Sequence, residues 1–263
     1  MASEQVRALG AIAGDIIGSR FEWHPVKSKD FQLLHESCFF TDDSILTVAI
    51  AHALLHQEDL AMTLWNYGNH YPHGGYGGNF RMWLSSTERQ PYDSFGNGSA
   101  MRVSPVGWAF NTKELVLKNA ERSAAVTHNH AEGVKGAQAT ALAICMARQG
   151  ASKEEIKEEI EGRFGYDLQR TLEQIRPNYR FDVTCQGSVP EAIIAFLEAE
   201  DFEDALRNAI SLGGDADTQA AISGSLAEAY FGEVPVEIAK FVKKKIPAQF
   251  WQVIEEFNRK FIA

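Results

Sequence analysis

Cysteine is scarce in this sequence. Only Cys38, Cys145 and Cys185 occur in 263 residues, an odd number without close metal-ligand spacing, which argues against a disulfide framework or a zinc site and fits a reducing cytosol. Long apolar runs are missing as well: the stretch around Leu9 to Ala13 is broken by Asp15, and nothing later approaches the length of a membrane span. A cytoplasmic chain that meets no membrane is expected. Basic residues are in deficit, 25 against 35 acidic ones, giving a formal charge of -10 and a pI of about 5.3. No general nucleic-acid-binding surface is therefore expected, and an anionic ligand must meet a local positive field. Also absent are a Pro/Ser/Gly-rich linker, a low-complexity tract, an internal repeat and any long alternation of apolar and polar residues. YRFDVT at 179–184 is the best strand candidate, and it is short.

What is present is helix. Hydrophobic residues make up 45% and charged residues 23%, an ordinary globular mixture in a chain long enough to bury a core. Residues 44–55, SILTVAIAHALL, repeat apolar side chains at three-and-four spacing, and 135–148, KGAQATALAICMAR, are small and apolar on most sides, as in a central helix. Ser152 with Glu155 and Ser188 with Glu191 each read as a capping box, and Asp201 as a cap for FEDALRNAI. Thr218–Tyr230 and Pro247–Phe261 read as further helices, and the charged segment from Ser152 to Arg180 as a solvated peripheral hairpin. One all-α domain over residues 1–263 is expected, with its chemistry at helix ends and in loops.

Two helix starts carry more oxygen than capping needs. Thr41, Asp42 and Asp43 precede an apolar helix, where one acceptor would satisfy the free backbone N–H groups. Gly213 and Gly214 precede Asp215, Asp217 and Thr218. Residues two apart on a helix point about 200° apart, so both carboxylates converge only if the glycines permit an irregular turn. Four aspartates in one pocket repel unless protonated or neutralised, and oxygen-only donors suit magnesium or manganese. Separate caps or a calcium-stabilised loop explain the same residues, and spacing does not decide among these readings.

The order of several motifs resembles the ADP-ribosylglycohydrolase family: GDIIGSRFE at 14–22, FFTDDS at 39–44, YGG at 76–78, SFGNGSAMRVSP at 94–105, TH at 127–128 and GGDADT at 213–218. The resemblance implies a single orthogonal helical bundle with a binuclear magnesium cleft, two Mg2+ for which Mn2+ can substitute. Thr41, Asp42, Asp43, Asp215, Asp217 and Thr218 match the family's metal ligands. Glu22 matches an acid near the metals, and Glu22 or Asp43 would handle a proton as the glycosidic bond breaks.

The glycine-rich segments fit the other half of such a substrate. Without side chains to obstruct it, backbone N–H groups can approach a diphosphate. The resemblance implies contacts to the diphosphate and adjacent ribose from Gly75, Ser94, Gly96, Asn97, Gly98 and Ser99. Phe95 would stack on the nucleotide or pack in the core, and it lacks the hydroxyl of the tyrosine common at that place. His128 would bind substrate, His130 has no assigned role, Glu132 reads as a helix-start acid, and Arg102 reads as a phosphate ligand or a structural ion pair. The implied activity is hydrolysis of the bond between ADP-ribose and a modified acceptor, a protein side chain linked through arginine or serine, with ADP-ribose as product. A catalytically silent ADP-ribose-binding module, or a hydrolase of ADP-ribosylated nucleic acid or another nucleotide, are the alternatives.

Overall fold

The computed structural model describes residues 6–262, so residues 1–5 and 263 of the expected unit lie outside it. Among the described residues there are fifteen α-helices, one short 3-10 turn at Ser19–Phe21 and no strand. In chain order the helices are α1 (Gly10–Gly18), α2 (Asp42–His56), α3 (Leu60–His70), α4 (Gly78–Ser85) and α5 (Gly98–Met101). Then come α6 (Ser104–Ala109), α7 (Lys113–Ala125), α8 (Ala131–Arg148), α9 (Lys153–Phe164) and α10 (Leu172–Ile175). The last are α11 (Cys185–Leu197), α12 (Phe202–Ile210), α13 (Ala216–Phe231), α14 (Val236–Lys245) and α15 (Ala248–Phe261).

Local chemistry explains most of the boundaries. Ser152 and Glu155 close a reciprocal capping box on α9, and the Asp201 carboxylate accepts from the Asp204 N–H to start α12. The second expected capping box does not form. Thr184 supplies the cap for α11 by accepting from the Gly187 N–H, so the helix starts at Cys185 and carries Ser188 and Glu191 inside it. Glu191 is instead neutralised by Arg170 at 2.8 Å. The charged segment after Ser152 is also anchored more firmly than a solvated hairpin, since Ile156, Ile160, Leu168 and Leu172 are all buried.

The strand candidate at 179–184 is a strap with a single antiparallel bridge, from Thr184 to Gly96. Its backbone exchanges two hydrogen bonds with the glycine turn, Asn97 N–H to the Val183 carbonyl at 2.8 Å and Cys185 N–H to the Phe95 carbonyl at 2.9 Å. Among the described residues no second strand lies alongside, because the partner segment turns at once into α5. The strap's effect is to pin residues 95–97 against α11.

One continuous apolar cluster, including Ile12, Ile16, Ile45, Leu46, Phe196 and Phe250, joins these helices. Each such fully buried side chain contributes about 1.5–3 kcal/mol relative to exposure. α1 and α13 pack closest of all. A Cβ on Gly14 would lie 2.0 Å from the Ala220 carbonyl oxygen, so only glycine admits this approach. That contact sets the end of α1, and Glu22 just beyond it, beside the start of α13.

Candidate metal centre

Three helix ends converge. The turn after α1 presents Glu22, the first turn of α2 presents Asp42 and Asp43, and the start of α13 presents Asp215, Asp217 and Thr218. Ligand atoms of Glu22, Asp215 and Asp217 all lie within 4.8 Å of one another, a group able to hold a metal ion. The Thr218 hydroxyl donates to Asp43 Oδ1 at 3.4 Å, joining segments 175 residues apart. The two acidic clusters read from the sequence therefore share one site.

The glycine turn works differently at its two positions. Gly213 adopts φ +63, the left-handed conformation expected of it. Gly214 does not; it is needed for space, because a Cβ there would lie 2.3 Å from the Tyr179 ring. Asp215 then occupies the position before α13 without capping it. Its Oδ2 accepts from the Asn97 amide at 2.7 Å, and that amide also donates to Ser188 Oγ at 3.1 Å.

Asp15 organises the opposite side. Buried in α1, its carboxylate accepts from Thr41 N–H at 2.9 Å, Thr41 Oγ1 at 2.6 Å, Ser44 N–H at 3.1 Å and the Ser44 hydroxyl. It thus fixes the first turn of α2, on which Asp42 and Asp43 stand. Sequence reasoning treated Asp15 as a break in an apolar run, although it sits inside the GD motif, which was the available signal. Thr41 Oγ1 donates to Asp15 and accepts from Asp43 N–H, so this expected ligand is already engaged within the protein.

The electrostatics call for bound protons or a counter-charge. Burial first, then repulsion from Asp217, pushes Asp42 and Asp43 well above the usual carboxylate range, and burial followed by Asp215 does the same to Asp217. Asp215 is pushed up to about 6 by burial. Glu22, partly exposed, rises to about 7 through desolvation and then the Asp217 charge. Asp43 Oδ2 is buried and finds no donor among the described residues. An orphaned carboxylate oxygen among oxygen-only donors fits a hard divalent cation, whose binding would displace the protons such a cluster otherwise takes up.

The remaining expected residues fall into two groups. Gly75, at φ +98, lies beside the acidic cluster, since a Cβ there would meet Asp42 Oδ1 at 3.4 Å. Phe95 is 46% exposed with its ring 5.3 Å from that of His130, which removes the core-packing reading. His128 sets its Nε2 edge against Gly96 and Gly98. In contrast, Ser94 Oγ accepts from Gly96 N–H, and the buried Ser99 hydroxyl donates to the Gly133 carbonyl at 2.7 Å, so these hydroxyls brace the turn. His130 caps α8 by accepting from Glu132 N–H, and Glu132 occupies its first turn. Arg102 is neither a surface phosphate ligand nor an ion-pair partner. It is wholly buried, donates to the Ser123 carbonyl and to Thr127 Oγ1, and has no carboxylate within salt-bridge distance among the described residues.

An all-helical body with an acidic centre built from α1, α2 and α13 defines a class, and comparison with known proteins identifies it. The ADP-ribosylglycohydrolase family profile matches residues 7–262. The chain belongs to that family, a family of glycosidic-bond hydrolases. It is similar to ADP-ribosylhydrolase ARH3 of Mus musculus, 28% identical with 85% of this chain and 82% of that protein covered. The human ARH3 is likewise 28% identical, with coverage of 85% and 84%. ADP-ribosylarginine hydrolase Tri1 of Pseudomonas putida is 30% identical over 52% of this chain and 38% of its own length. A solved structure described as an ADP-ribosylglycohydrolase-related protein complex superposes with a TM-score of 0.75 at 25% identity, covering 97% of this chain and 96% of that one.

Proposed function

We propose that this chain is a magnesium-dependent hydrolase that cleaves the glycosidic bond between ADP-ribose and a modified protein side chain. The observation that carries the reading is the joining of the two acidic clusters by the Thr218 to Asp43 contact. Asp42, Asp43, Asp215, Asp217 and Thr218 would hold two Mg2+, with Thr41 joining through the lone pair left free by its bonds to Asp15 and Asp43 N–H, and Glu22, whose carboxylate groups with those of Asp215 and Asp217, would stand beside them. When bound, the ions supply Lewis-acid polarisation of the distal ribose hydroxyls and of a water.

The protein's own groups do the rest. Glu22 or Asp43 handles the proton that moves as the bond breaks, each carboxyl standing within the acidic cluster at the head of α2 and α13. The surrounding carboxylates stabilise positive charge developing at the anomeric carbon. Gly75, Ser94, Gly96, Asn97, Gly98 and Ser99 shape the turns that admit the diphosphate and its ribose. Phe95, with an exposed face, stacks on the nucleotide, and His128 donates to it. The name of one relative, ADP-ribosylarginine hydrolase Tri1, favours an arginine-linked acceptor, and a serine-linked protein side chain is the other linkage in this proposal.

The test is incubation with matched substrates linked through arginine, serine and a nucleobase, with magnesium present or chelated. Release of ADP-ribose from a protein linkage in magnesium, lost on chelation and in both Asp42→Ala and Asp217→Ala, is the expected result. Full turnover by both variants with metal removed would reject the mechanism, and tight binding of ADP-ribose without turnover would make the chain a silent binding module.

A further inference from the structure

A buried cation without a counterion costs several kcal/mol, so its retention calls for a reason. Arg102 is such a group: it is 0% exposed, its Nε and Nη1 find no acceptor among the described residues, and its Nη2 donates to the Ser123 carbonyl at 3.1 Å and to Thr127 Oγ1 at 2.8 Å. The same hydroxyl lies 2.7 Å from His128 Nδ1. Arg102, Thr127 and His128 therefore form a chain that ends on the imidazole edge facing the glycine turn. A Cβ on Gly98 would lie 3.1 Å from His128 Nε2, and among the described residues no group hydrogen-bonds that nitrogen.

A hydroxyl has one proton to give. With Arg102 donating into Thr127 Oγ1, the Thr127 proton turns away from the cation, and Nδ1 offers it a lone pair. The opposite arrangement, Nδ1–H donating to Oγ1, would make Oγ1 accept from both Arg102 and His128. It would also aim a positive imidazole edge at a guanidinium. Arg102 favours the negative end of the imidazole dipole nearby and the proton at the far nitrogen.

We propose that Arg102 is a positioning residue that, acting through the Thr127 hydroxyl, holds His128 as the Nε2–H tautomer and so keeps a hydrogen-bond donor aimed at the diphosphate or ribose of the substrate. Burial, followed by the Arg102 charge, also holds His128 well below its ordinary pKa, so the ring donates through one nitrogen and carries no charge. Burial lowers Arg102 only to about 10, which leaves it cationic at neutral pH. The inference rests on the reading of His128 as a substrate contact, but the tautomer measurement that tests the relay does not.

The test is 15N NMR of the full chain with labelled histidine, His128 being assigned by its loss in His128→Gln. The ligand-free protein is expected to show the Nε2–H pattern, Thr127→Ser to retain it, and Thr127→Val to shift the ring toward Nδ1–H. In turnover, Thr127→Val should raise KM about tenfold with kcat nearly unchanged, and Thr127→Ser should rescue it. An Nδ1–H ring in the unmodified protein, or a pattern identical in Thr127→Val, would overturn the relay. A relay that behaves as expected, in a protein whose His128 Nε2 signal ignores added ADP-ribose, would instead overturn the substrate contact and leave the relay standing.

Discussion

Replacing Asp217 by Asn should make the metal-free protein more stable while abolishing its stabilisation by magnesium. The Asp217 carboxylate lies within 4.8 Å of donor oxygens of Glu22 and Asp215. Two unit charges at that separation repel by roughly 3 kcal/mol at an effective dielectric of about 20. Part of this is already relieved because burial and neighbouring charge raise the proton affinity of the cluster, and part is screened because Glu22 is partly exposed. A net gain of about 2 kcal/mol remains for an isosteric neutral side chain, which raises Tm by about 4–8 °C in a chain of this size. For the unmodified protein, magnesium at about 100 times its Kd adds about 2.7 kcal/mol. The assay is thermal unfolding of both proteins in chelator and in magnesium. A variant that is less stable than the unmodified protein in chelator, or that gains as much from magnesium, would refute the claim that Asp217 belongs to a repelling, cation-binding cluster.

Asp15→Asn turns an acceptor of Thr41 and Ser44 into a group that must place N–H against one of them; metal affinity and kcat/KM should fall about 10–100-fold while far-UV dichroism persists, and unchanged affinity would contradict its organising role. Gly14→Ala forces a methyl against the Ala220 carbonyl and should cost at least about 3 kcal/mol in urea unfolding, whereas a neutral outcome would contradict the α1 to α13 packing. Glu228 is buried, accepts from the Leu9 and Gly10 N–H groups, and is pushed up to about 7 by burial. Its folded pKa lies above the unfolded value of 4.5, so its contribution is full below about pH 4.5 and fades as pH rises through 7, a loss of up to about 3 kcal/mol. In saturating magnesium, Glu228→Gln should flatten the fall in stability between pH 5 and pH 8; parallel curves for the two proteins would contradict the assignment.

The helices and both acidic clusters were readable because their signals are local. Apolar periodicity marks α2 and α8, Ser152 and Asp201 cap the helices that follow them, and Thr41-Asp42-Asp43 and Asp215-Ala216-Asp217-Thr218 are each contiguous. Asp15 was not readable in the same way. Its partners lie 26 and 29 residues away, and within its own helix it looks like an interruption. The Arg102 to His128 chain is likewise visible only once α5 and the end of α7 are brought together. Ser188 and Glu191 failed for the converse reason, since a four-residue capping pattern also occurs inside helices and Thr184 stood close enough to start α11 earlier. The strap at 179–184 has the composition of a strand but only a glycine turn to pair with.

The claim on which the account depends is that distant acids close around divalent cations. Manganese-soaked crystals test it most directly by anomalous scattering. Peaks enclosed by Glu22, Asp215 and Asp217 on one side and Asp42 and Asp43 on the other are predicted, and a map with no peak among these carboxylates would contradict it.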